Sequence, residues 1–394
     1  MDTQTFFQLY GAEIISSLED QPLGVYLHIP FCKDRCTYCS FVRTHEEGDR
    51  NPFIHTLIRE IEQWGQRLNR PQLDSIYWGG GTPSVLSESE IEIIVKAIHD
   101  SFKPTVNVEH TLEANPGDLS LAWLMSIQKL GFNRISWGIQ TLHDDLLKSL
   151  GRIHSSKEAL TALDWSHKAG FDHVSGDLIL GLPNQSPESV YSDALKMIDG
   201  GIDHLSVYLL DLEKACALKT EVDAGRVILP DEHGVASLYE TLQYRLPQQG
   251  FIAYEISNYA KAGAQSRHNL KYWKRQPYLG LGPSAASHIG SYRWTSDLSI
   301  PVWTQGMGQL SIQKLDPIDE WMEIPLLGLR LGEGINWDTF SKQALTLNVD
   351  PLLQAWTHRM KDFEQAGLVM FQDSHVQLTT KGRLLSNEIF RLFV

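Results

Sequence analysis

Three of the four cysteines lie within eight residues, at Cys32, Cys36 and Cys39. Thiols this crowded could form at most one strained disulfide among themselves, and in a reducing compartment the C-x3-C-x2-C spacing indicates a metal or metal-cluster site. Three thiolates can hold three irons of a [4Fe–4S] cluster and leave the fourth iron open to a small molecule. A structural zinc is the alternative, with His28 or His45 as fourth ligand, but the sequence has no second C-x2-C pair to support it.

Other residues that could bind a ligand come at or near the ends of predicted strands. Consecutive glycines let backbone groups approach a ligand closely, although a tight turn would also require them. A carboxylate in an apolar strand is costly to bury unless it is paired or faces a ligand, and an arginine suits a bidentate carboxylate contact. Glu113, the acid in LEANP, has a second interpretation as the cap of the next helix. The candidates are Gly79, Gly80, Gly81, Thr82, Glu113, Gln140, Arg152 and Asp177.

From about residue 23 the chain alternates between strand-like and helix-like segments. Strands separated by helix-length segments indicate βαβ units and a parallel sheet with right-handed crossovers. A complete barrel has eight such units, so six predict an α/β fold with a partial (β/α)6 barrel that is open on one side. In such a barrel the loops after the strands carry the chemistry. The predicted strands are residues 24–29, 75–78, 107–114, 133–139, 173–182 and 204–210.

The pattern divides the chain into four parts. Residues 1–22 are predicted to be a lead-in helix and residues 23–255 the barrel. Residues 256–310, rich in turn residues, Tyr and Trp, are predicted to be an irregular connecting segment. In residues 311–394, helices lead into a short hairpin, which predicts a small winged-helix-like α+β domain. We expect this domain to pack against the open side of the barrel, because nothing basic lies on it.

Composition and charge exclude several classes of protein. The chain has 394 residues, with 34 Lys and Arg against 48 Asp and Glu, a net charge of −14. An acidic chain without long basic runs is a poor candidate for binding phosphate backbones, so we expect no nucleic-acid partner. No stretch approaches the ~18 consecutive apolar residues of a membrane span, and the polar start lacks a signal-peptide pattern. The sequence therefore predicts a cytoplasmic protein.

Several motifs, taken together, resemble one known family. The cysteine spacing, with an aromatic residue before the third cysteine, is similar to the signature of radical S-adenosylmethionine proteins. The full set, over nearly the whole chain from about residue 23, resembles the HemW family of heme chaperones, which are similar to oxygen-independent coproporphyrinogen III oxidases. The segments that carry the resemblance are YLHIPFCKDRCTYCSF, YWGGGTPS, LEANPG, GIQTLHDDLLKSLGRIHS, DLILGLP, YEISNYAKAGAQSRHNLKYW and YLGLGPSAAS.

The resemblance implies a [4Fe–4S] cluster on the three cysteines and S-adenosylmethionine on its open iron, where a reduced cluster cleaves it to methionine and a 5′-deoxyadenosyl radical. It implies that the glycine turn contacts the amino group of S-adenosylmethionine. Gln140 and Arg152 match family residues that contact the ribose and the carboxylate. Tyr26 and Tyr38 match residues beside the cofactor, although either is equally explained as an ordinary core aromatic residue.

The same resemblance implies heme as a ligand and heme-accepting apoproteins as partners. The H-N-x-x-Y-W motif distinguishes the family, and here it begins at His268. The hypothesis is that His268 lies exposed on a loop and ligates heme iron, while Tyr272 and Trp273 pack on the porphyrin. Peripheral association with membrane-bound heme proteins is compatible with this partner class.

A second function is the oxygen-independent coproporphyrinogen III dehydrogenase, a radical enzyme of heme synthesis that converts propionates to vinyl groups. Its pattern has a further cysteine two residues after the third, where this chain has Phe41, and a longer N-terminal region than the 31 residues before Cys32. These differences and the H-N-x-x-Y-W motif favour the chaperone. A radical enzyme with another substrate stays open, because fold does not fix function. The segment DLEKACALKT (211–220) departs from the family pattern, and we interpret its Cys216 as structural.

Overall fold

The computed structural model describes residues 1–33, 36–39, 44–45, 48–117, 119–296, 299–306 and 309–394. Strands and helices alternate through most of these residues. The strands are β1 (Leu23–Ile29), β2 (Phe31–Cys32), β3 (Thr44–His45), β4 (Gln72–Gly80), β5 (Lys103–Ala114), β6 (Arg134–Gln140), β7 (His173–Leu180), β8 (His204–Leu209), β9 (Ile252–Ala253), β10 (Asn258–Ala260), β11 (Tyr278–Leu281), β12 (Ala286–Ile289), β13 (Tyr292–Ser296), β14 (Leu310–Lys314), β15 (Ile335–Asn336), β16 (Val369–Gln372) and β17 (His375–Leu378).

Several helices begin at residues whose side chains cap the helix. Ser87 and Ser155 each form a capping box with the glutamate three residues later, which satisfies backbone donors at two helix starts. The helices are α1 (Thr3–Ser16), α2 (Asn51–Arg67), α3 (Glu88–Ser101), α4 (Leu121–Lys129), α5 (Asp144–Ser149), α6 (Ser156–Ala169), α7 (Pro187–Asp199), α8 (Ala217–Asp223), α9 (Glu232–Arg245), α10 (Arg267–Trp273), α11 (Ile300–Thr304), α12 (Pro317–Gly328), α13 (Trp337–Leu347), α14 (Asp350–Gln365), α15 (Thr380–Leu384) and α16 (Ser386–Phe390). In the described residues, no helix is long and apolar enough to cross a membrane.

One large sheet organises the part of the chain that the structure describes. Its strand order is β14-β13-β12-β11-β1-β4-β5-β6-β7-β8-β10-β9. The pairs from β11 through β1 and β4 to β8 are parallel, and the flanking pairs are antiparallel. The six predicted strands, the helices between them and the partial barrel are therefore confirmed.

The interpretation of residues 256–310 as irregular is wrong. This segment contains β10 to β13, and β11 pairs with β1 as a further parallel strand. The strands here are only three to five residues long and are separated by glycine and serine turns. Strands this short show too few alternations for a periodic pattern to be recognised in the sequence.

Side chains in the barrel strands alternate between two environments, as strand geometry requires. The outward set is apolar and packs against the helices: Trp78 and Trp137 are fully buried, and the Trp137 indole donates to the Ser166 hydroxyl at 2.9 Å. The inward set is polar. It contributes Tyr77 from β4, Thr111 and Glu113 from β5, Arg134 and Ser136 from β6, Ser175 and Asp177 from β7, and His204 and Ser206 from β8.

Helix α10 packs against this polar interior. The Glu109 carboxylate of β5 accepts the backbone N–H groups of Arg267 and His268, both at 2.9 Å, at the first turn of the helix. Near the other end, the Lys271 ammonium group pairs with Asp74 at 2.8 Å. Because the backbone donors at a helix start need acceptors, the buried carboxylate fixes where this helix begins.

The C-terminal helices and the antiparallel β15-β17-β16 sheet have their own core, in which Trp321 stacks on Phe340 and Trp356 at 4.6 and 4.8 Å. This domain contacts both ends of the large sheet. Leu331 forms a backbone bridge with Glu255, near β9 and β10, and Glu323 pairs with Arg293 of β13 at 2.6 Å. The domain therefore spans the open side of the barrel.

Candidate functional site

A cavity of about 500 Å³ lies where the parallel strands end. Most of the residues singled out in the sequence line it, because the carboxyl ends of parallel strands meet at one edge. These are Cys32, Cys36, Tyr38, Cys39, Gly80, Gly81, Thr82, Glu113, Gln140, Arg152 and Asp177. Polar or charged lining residues that the sequence did not single out are Asn115, Ser136, Tyr208, Asp211 and Lys214. Their only sequence signal is their place on or just after predicted strands.

The three thiols share this cavity, and donors lie beside the sulfurs of Cys32 and Cys36. Cys32 is buried at the end of β2, and the Thr82 hydroxyl points to its Sγ at 3.6 Å. The Arg152 guanidinium donates to the Cys36 Sγ at 3.4 Å. The Cys39 backbone N–H donates to the Cys36 carbonyl at 3.4 Å, which closes the turn between them. A hydroxyl and a guanidinium group therefore lie beside two of the three sulfurs.

The thiols do not gather around one point. Among the described residues, no three His, Cys, Asp or Glu side chains converge as a single metal ion requires. A structural zinc needs its ligands in one closed tetrahedron, whereas each thiolate of a cubane cluster binds a separate iron. Three thiols on one cavity are a donor set that such a cluster can use.

The turn that carries Cys36 and Cys39 is held by the end of α5 and the start of α8. The Thr37 N–H donates to the Leu150 carbonyl at 3.0 Å, and the Leu218 N–H donates to the Thr37 carbonyl at 2.8 Å. Tyr38 packs in a small apolar cluster built on Leu150, Leu218 and their neighbours, and Cys216 packs at its edge. The segment that departs from the family pattern thus supports the cysteine turn through Leu218 and lines the cavity through Asp211 and Lys214.

The glycine turn after β4 is packed on its other side. A Cβ on Gly79 would lie 3.1 Å from the Glu113 carboxylate, and one on Gly81 would lie 2.6 Å from the Phe31 carbonyl oxygen. Gly80 has φ of +110°, and a Cβ there would lie 2.7 Å from the His28 ring. Only glycine satisfies these contacts, and the backbone of the turn is left open to the cavity.

Two carboxylates face the cavity with neutral hydroxyl partners. The Tyr77 hydroxyl donates to Glu113 at 2.7 Å, and the Ser136 hydroxyl lies 3.4 Å from Asp177. Burial raises the pKa of Glu113 to about 7 and the pKa of Asp177 to about 6. When desolvation raises the pKa of an acid in this way, a positively charged group that binds beside it stabilises the ionised form.

The titration of Glu113 predicts a pH-dependent stability difference. An unfolded glutamate ionises near 4.5 and the folded Glu113 near 7. The proton on Glu113 therefore stabilises the fold fully below the first value, and this contribution is lost as pH rises through the second. Glu113→Gln cannot ionise, so we expect its free energy of unfolding to gain about 2–3 kcal/mol over wild type between about pH 5 and pH 8. Urea unfolding at several pH values measures the difference, and a difference independent of pH would contradict the burial of this charge.

Arg152 ties the end of β6 to the end of β5. The β6 register shifts between Trp137 and Gln140, and the shift presents the Gly138 carbonyl to the Arg152 guanidinium at 2.6 Å. The same guanidinium donates to the Asn115 amide oxygen at 2.7 Å. Gln140 has φ of +71°, a conformation that costs free energy for a residue other than glycine. Such strain occurs most often at functional sites, and here it accompanies a side chain that lines the cavity.

The expectation of an exposed loop around His268 is wrong. His268 lies in α10 and is fully buried. Its Nδ1 is 2.9 Å from the Ser75 hydroxyl and its Nε2 is 2.8 Å from the Tyr272 hydroxyl. Burial lowers the pKa of His268 to about 3, so the ring is neutral. Both nitrogens are therefore engaged inside the barrel, and heme iron could reach neither without breaking one of these bonds.

The remaining aromatic candidates lie outside the cavity lining. Tyr26 is directed into the barrel, where its hydroxyl is 3.1 Å from the His28 Nδ1 and its ring stacks on Tyr77. Trp273, at the end of α10, lies under the Arg330 guanidinium at 4.3 Å. Polar segments such as RHNLKYW look exposed in a sequence, but the polar barrel interior offers them partners.

Comparison with known proteins agrees with this architecture. The family model of the Radical SAM superfamily matches residues 26–196, and that of the HemN C-terminal domain matches residues 315–385. The partial barrel and these matches define a radical SAM protein with a HemN-type C-terminal domain.

Full-length relatives are more specific. The chain is 32% identical over 378 residues to the heme chaperone HemW of Bacillus subtilis, covering 94% of this chain and 99% of that protein. It is 31% identical over 389 residues to the mitochondrial radical S-adenosyl methionine domain-containing protein 1 of Bos taurus, covering 92% and 85%. The chain belongs to the HemW family.

A solved structure shares the whole fold. Coproporphyrinogen III oxidase HemN from Escherichia coli superposes with a TM-score of 0.84 at 22% identity, covering 100% of this chain and 93% of that one. At this identity the likeness concerns the fold alone.

Proposed function

We propose that this protein is a heme chaperone that binds heme and delivers it to apoproteins, and that it carries a [4Fe–4S] cluster and S-adenosylmethionine. The observation that carries the proposal is the set of three thiols on one cavity, in a chain whose relatives of nearly the same length are named heme chaperone HemW. The C-x3-C-x2-C cluster, which a reducing compartment keeps as thiols, supports a cytoplasmic location.

Different residues of the cavity would hold the cluster and S-adenosylmethionine. Cys32, Cys36 and Cys39 would hold the cluster, which supplies an open iron and a source of electrons when bound. The glycine turn offers backbone groups to an amino group, and the ionised Glu113 would stabilise its positive charge. The second carboxylate, Asp177, lies across the cavity with a similarly raised pKa. Two acids without a full positive counter-charge suit a cofactor that carries ammonium and sulfonium groups.

The charge of the cavity disfavours the coproporphyrinogen dehydrogenase. Among the described lining residues the cations are Arg152 and Lys214, whereas Glu113, Asp177 and Asp211 are acids. Coproporphyrinogen III carries four propionates, and each would need a cation or several hydrogen-bond donors when buried. Arg152 is already committed to the Cys36 sulfur and to two oxygens. The lining therefore suits the cofactor better than a tetra-anionic substrate.

Product analysis separates the two functions. Anaerobically reconstituted protein would be given reductant, S-adenosylmethionine and coproporphyrinogen III, with a known dehydrogenase as positive control. We expect no protoporphyrin product from cluster-replete protein after oxidation and chromatography. Multiple-turnover formation of protoporphyrin would overturn the proposal and make this chain an enzyme of heme synthesis.

A further inference from the structure

The H-N-x-x-Y-W motif is built into the barrel, and its histidine leads to the cofactor cavity. His268 stacks on the ring of Tyr77 at 5.2 Å with 24° between the planes. Tyr77 in turn donates its hydroxyl to the Glu113 carboxylate at 2.7 Å. One aromatic ring therefore separates the motif histidine from the acid that faces the cavity.

Tyr77 is confined on more than one side. The Tyr26 ring lies 6.2 Å from it and 6.4 Å from the His268 ring, so the three rings form one triangular cluster inside the barrel. The His268 ring cannot rotate freely, because its two nitrogens are bonded to Ser75 and Tyr272. Because the His268 ring is held by two hydrogen bonds and packed in this cluster, it limits the rotamers open to the Tyr77 ring beside it.

The helix that carries His268 is itself fixed. Its first turn is bonded to the buried Glu109, and Lys271 bonds both Asp74 and the Pro22 carbonyl. At the other end of the chain of contacts, the Glu113 carboxylate packs against Gly79 and accepts the Gly80 N–H. The position of α10 therefore determines the position of the Glu113 carboxylate at the glycine turn, through contacts that are all on the inner side of β4 and β5.

We propose that His268 is a positioning residue for the cofactor cavity: it fixes Tyr77, and through Tyr77 it holds the Glu113 carboxylate against the glycine turn, where the ammonium group of S-adenosylmethionine binds. This role rests on the proposed cofactor and not on heme binding. It explains why a motif histidine is buried and neutral rather than exposed.

The test measures S-adenosylmethionine binding by equilibrium dialysis on reconstituted protein, from about pH 5.5 to pH 8.5. Tyr77→Phe removes a hydrogen bond to a charged group, so we expect its affinity to fall about 10- to 100-fold. His268→Phe keeps a ring but loses both hydrogen bonds, and we expect about a tenfold loss. The double variant should bind no worse than Tyr77→Phe, since both changes act on one carboxylate.

The pH profile gives a readout that mere loss of stability would not move. The Tyr77 hydrogen bond lowers the pKa of Glu113, so its loss in either variant should shift the midpoint of cofactor binding to higher pH. Asp177 of β7 is the group whose charge acts on Glu113 and raises its pKa. The tyrosines that feel the Glu113 charge in turn are Tyr26 of β1, Tyr77 of β4, Tyr208 of β8 and Tyr272 of α10. His268→Phe replaces none of these groups, and Tyr77 is the one whose position it should change.

Trp321→Phe is the matched control, since it loses a buried hydrogen bond to the Phe340 carbonyl in the C-terminal core, touches neither His268 nor Tyr77, and should leave the midpoint unchanged. His268→Gln, which keeps one hydrogen bond without the ring, replaces His268→Phe if that variant does not fold. Unchanged affinity in both His268 variants, or losses that add in the double variant, would overturn the proposal. Loss of hemin binding with unchanged S-adenosylmethionine affinity would instead make His268 a heme residue. Wild-type protein that bound no S-adenosylmethionine would contradict the proposed cofactor, and this role with it.

Discussion

Replacing Cys36 by serine is expected to abolish assembly of the iron–sulfur cluster. The three cavity thiols are the only protein ligands proposed for it, and a missing thiolate leaves a second iron of the cluster without protein support. Iron and sulfide content and visible absorbance after anaerobic reconstitution measure the effect. Wild type should hold about four irons per chain and the variant under about a tenth of that. Cys32→Ser and Cys39→Ser should behave in the same way.

Cys216→Ser is the matched control for this series. Cys216 packs at the edge of the apolar cluster around the cysteine turn and does not line the cavity. Its replacement should leave the iron content unchanged. Full iron content in Cys39→Ser, or loss of iron in Cys216→Ser, would show that the cluster ligands have been misassigned.

Replacing Glu109 by alanine should lower the free energy of unfolding more than any other substitution proposed for this chain. Its carboxylate accepts the first N–H groups of α10 and lies 3.8 Å from the Arg134 guanidinium, with both side chains at most 4% exposed. Its removal leaves a buried cation without its counter-charge, which costs about 3–5 kcal/mol. The unpaired backbone donors at the start of α10 add to this cost. Urea unfolding of the reconstituted chain measures the change.

Glu221→Ala provides the comparison. Glu221 also binds an arginine, Arg226, at 2.6 and 2.8 Å, but on the surface. Surface ion pairs contribute little, so this variant should unfold almost as wild type does. Equal losses in the two variants would mean that the buried position of Glu109 does not matter, contrary to our interpretation of the barrel interior.

The site could be predicted from the sequence wherever its residues follow a parallel strand. Cys32, Gly81 and Gln140 are far apart in the chain, but each comes just after or at the end of a strand. The carboxyl ends of parallel strands meet at one edge, so predicting the strands was enough to bring these residues together. Asn115 meets the same condition and Ser136 lies within a predicted strand, but a single polar residue on or near a strand is too common to be singled out.

The environment of His268 could not be predicted in this way. Its neighbours Ser75 and Tyr77 come from a strand nearly two hundred residues away, and which side of that strand faces inward depends on the whole sheet. A polar helix is usually exposed, and this one buries His268 and Lys271 because the inner side of β4 to β8 is polar as well. The alternation of polar and apolar residues in these strands was the available signal.

Transfer of heme to an acceptor tests the central claim most directly. Hemin-loaded, cluster-replete protein would be mixed with an excess of an apo-cytochrome, and the acceptor would be separated and its heme measured by absorbance. The proposed function predicts that the acceptor gains heme faster from the loaded protein than from albumin loaded with the same amount of hemin. Failure of the wild-type protein to bind hemin, or transfer no faster than from albumin, would contradict it.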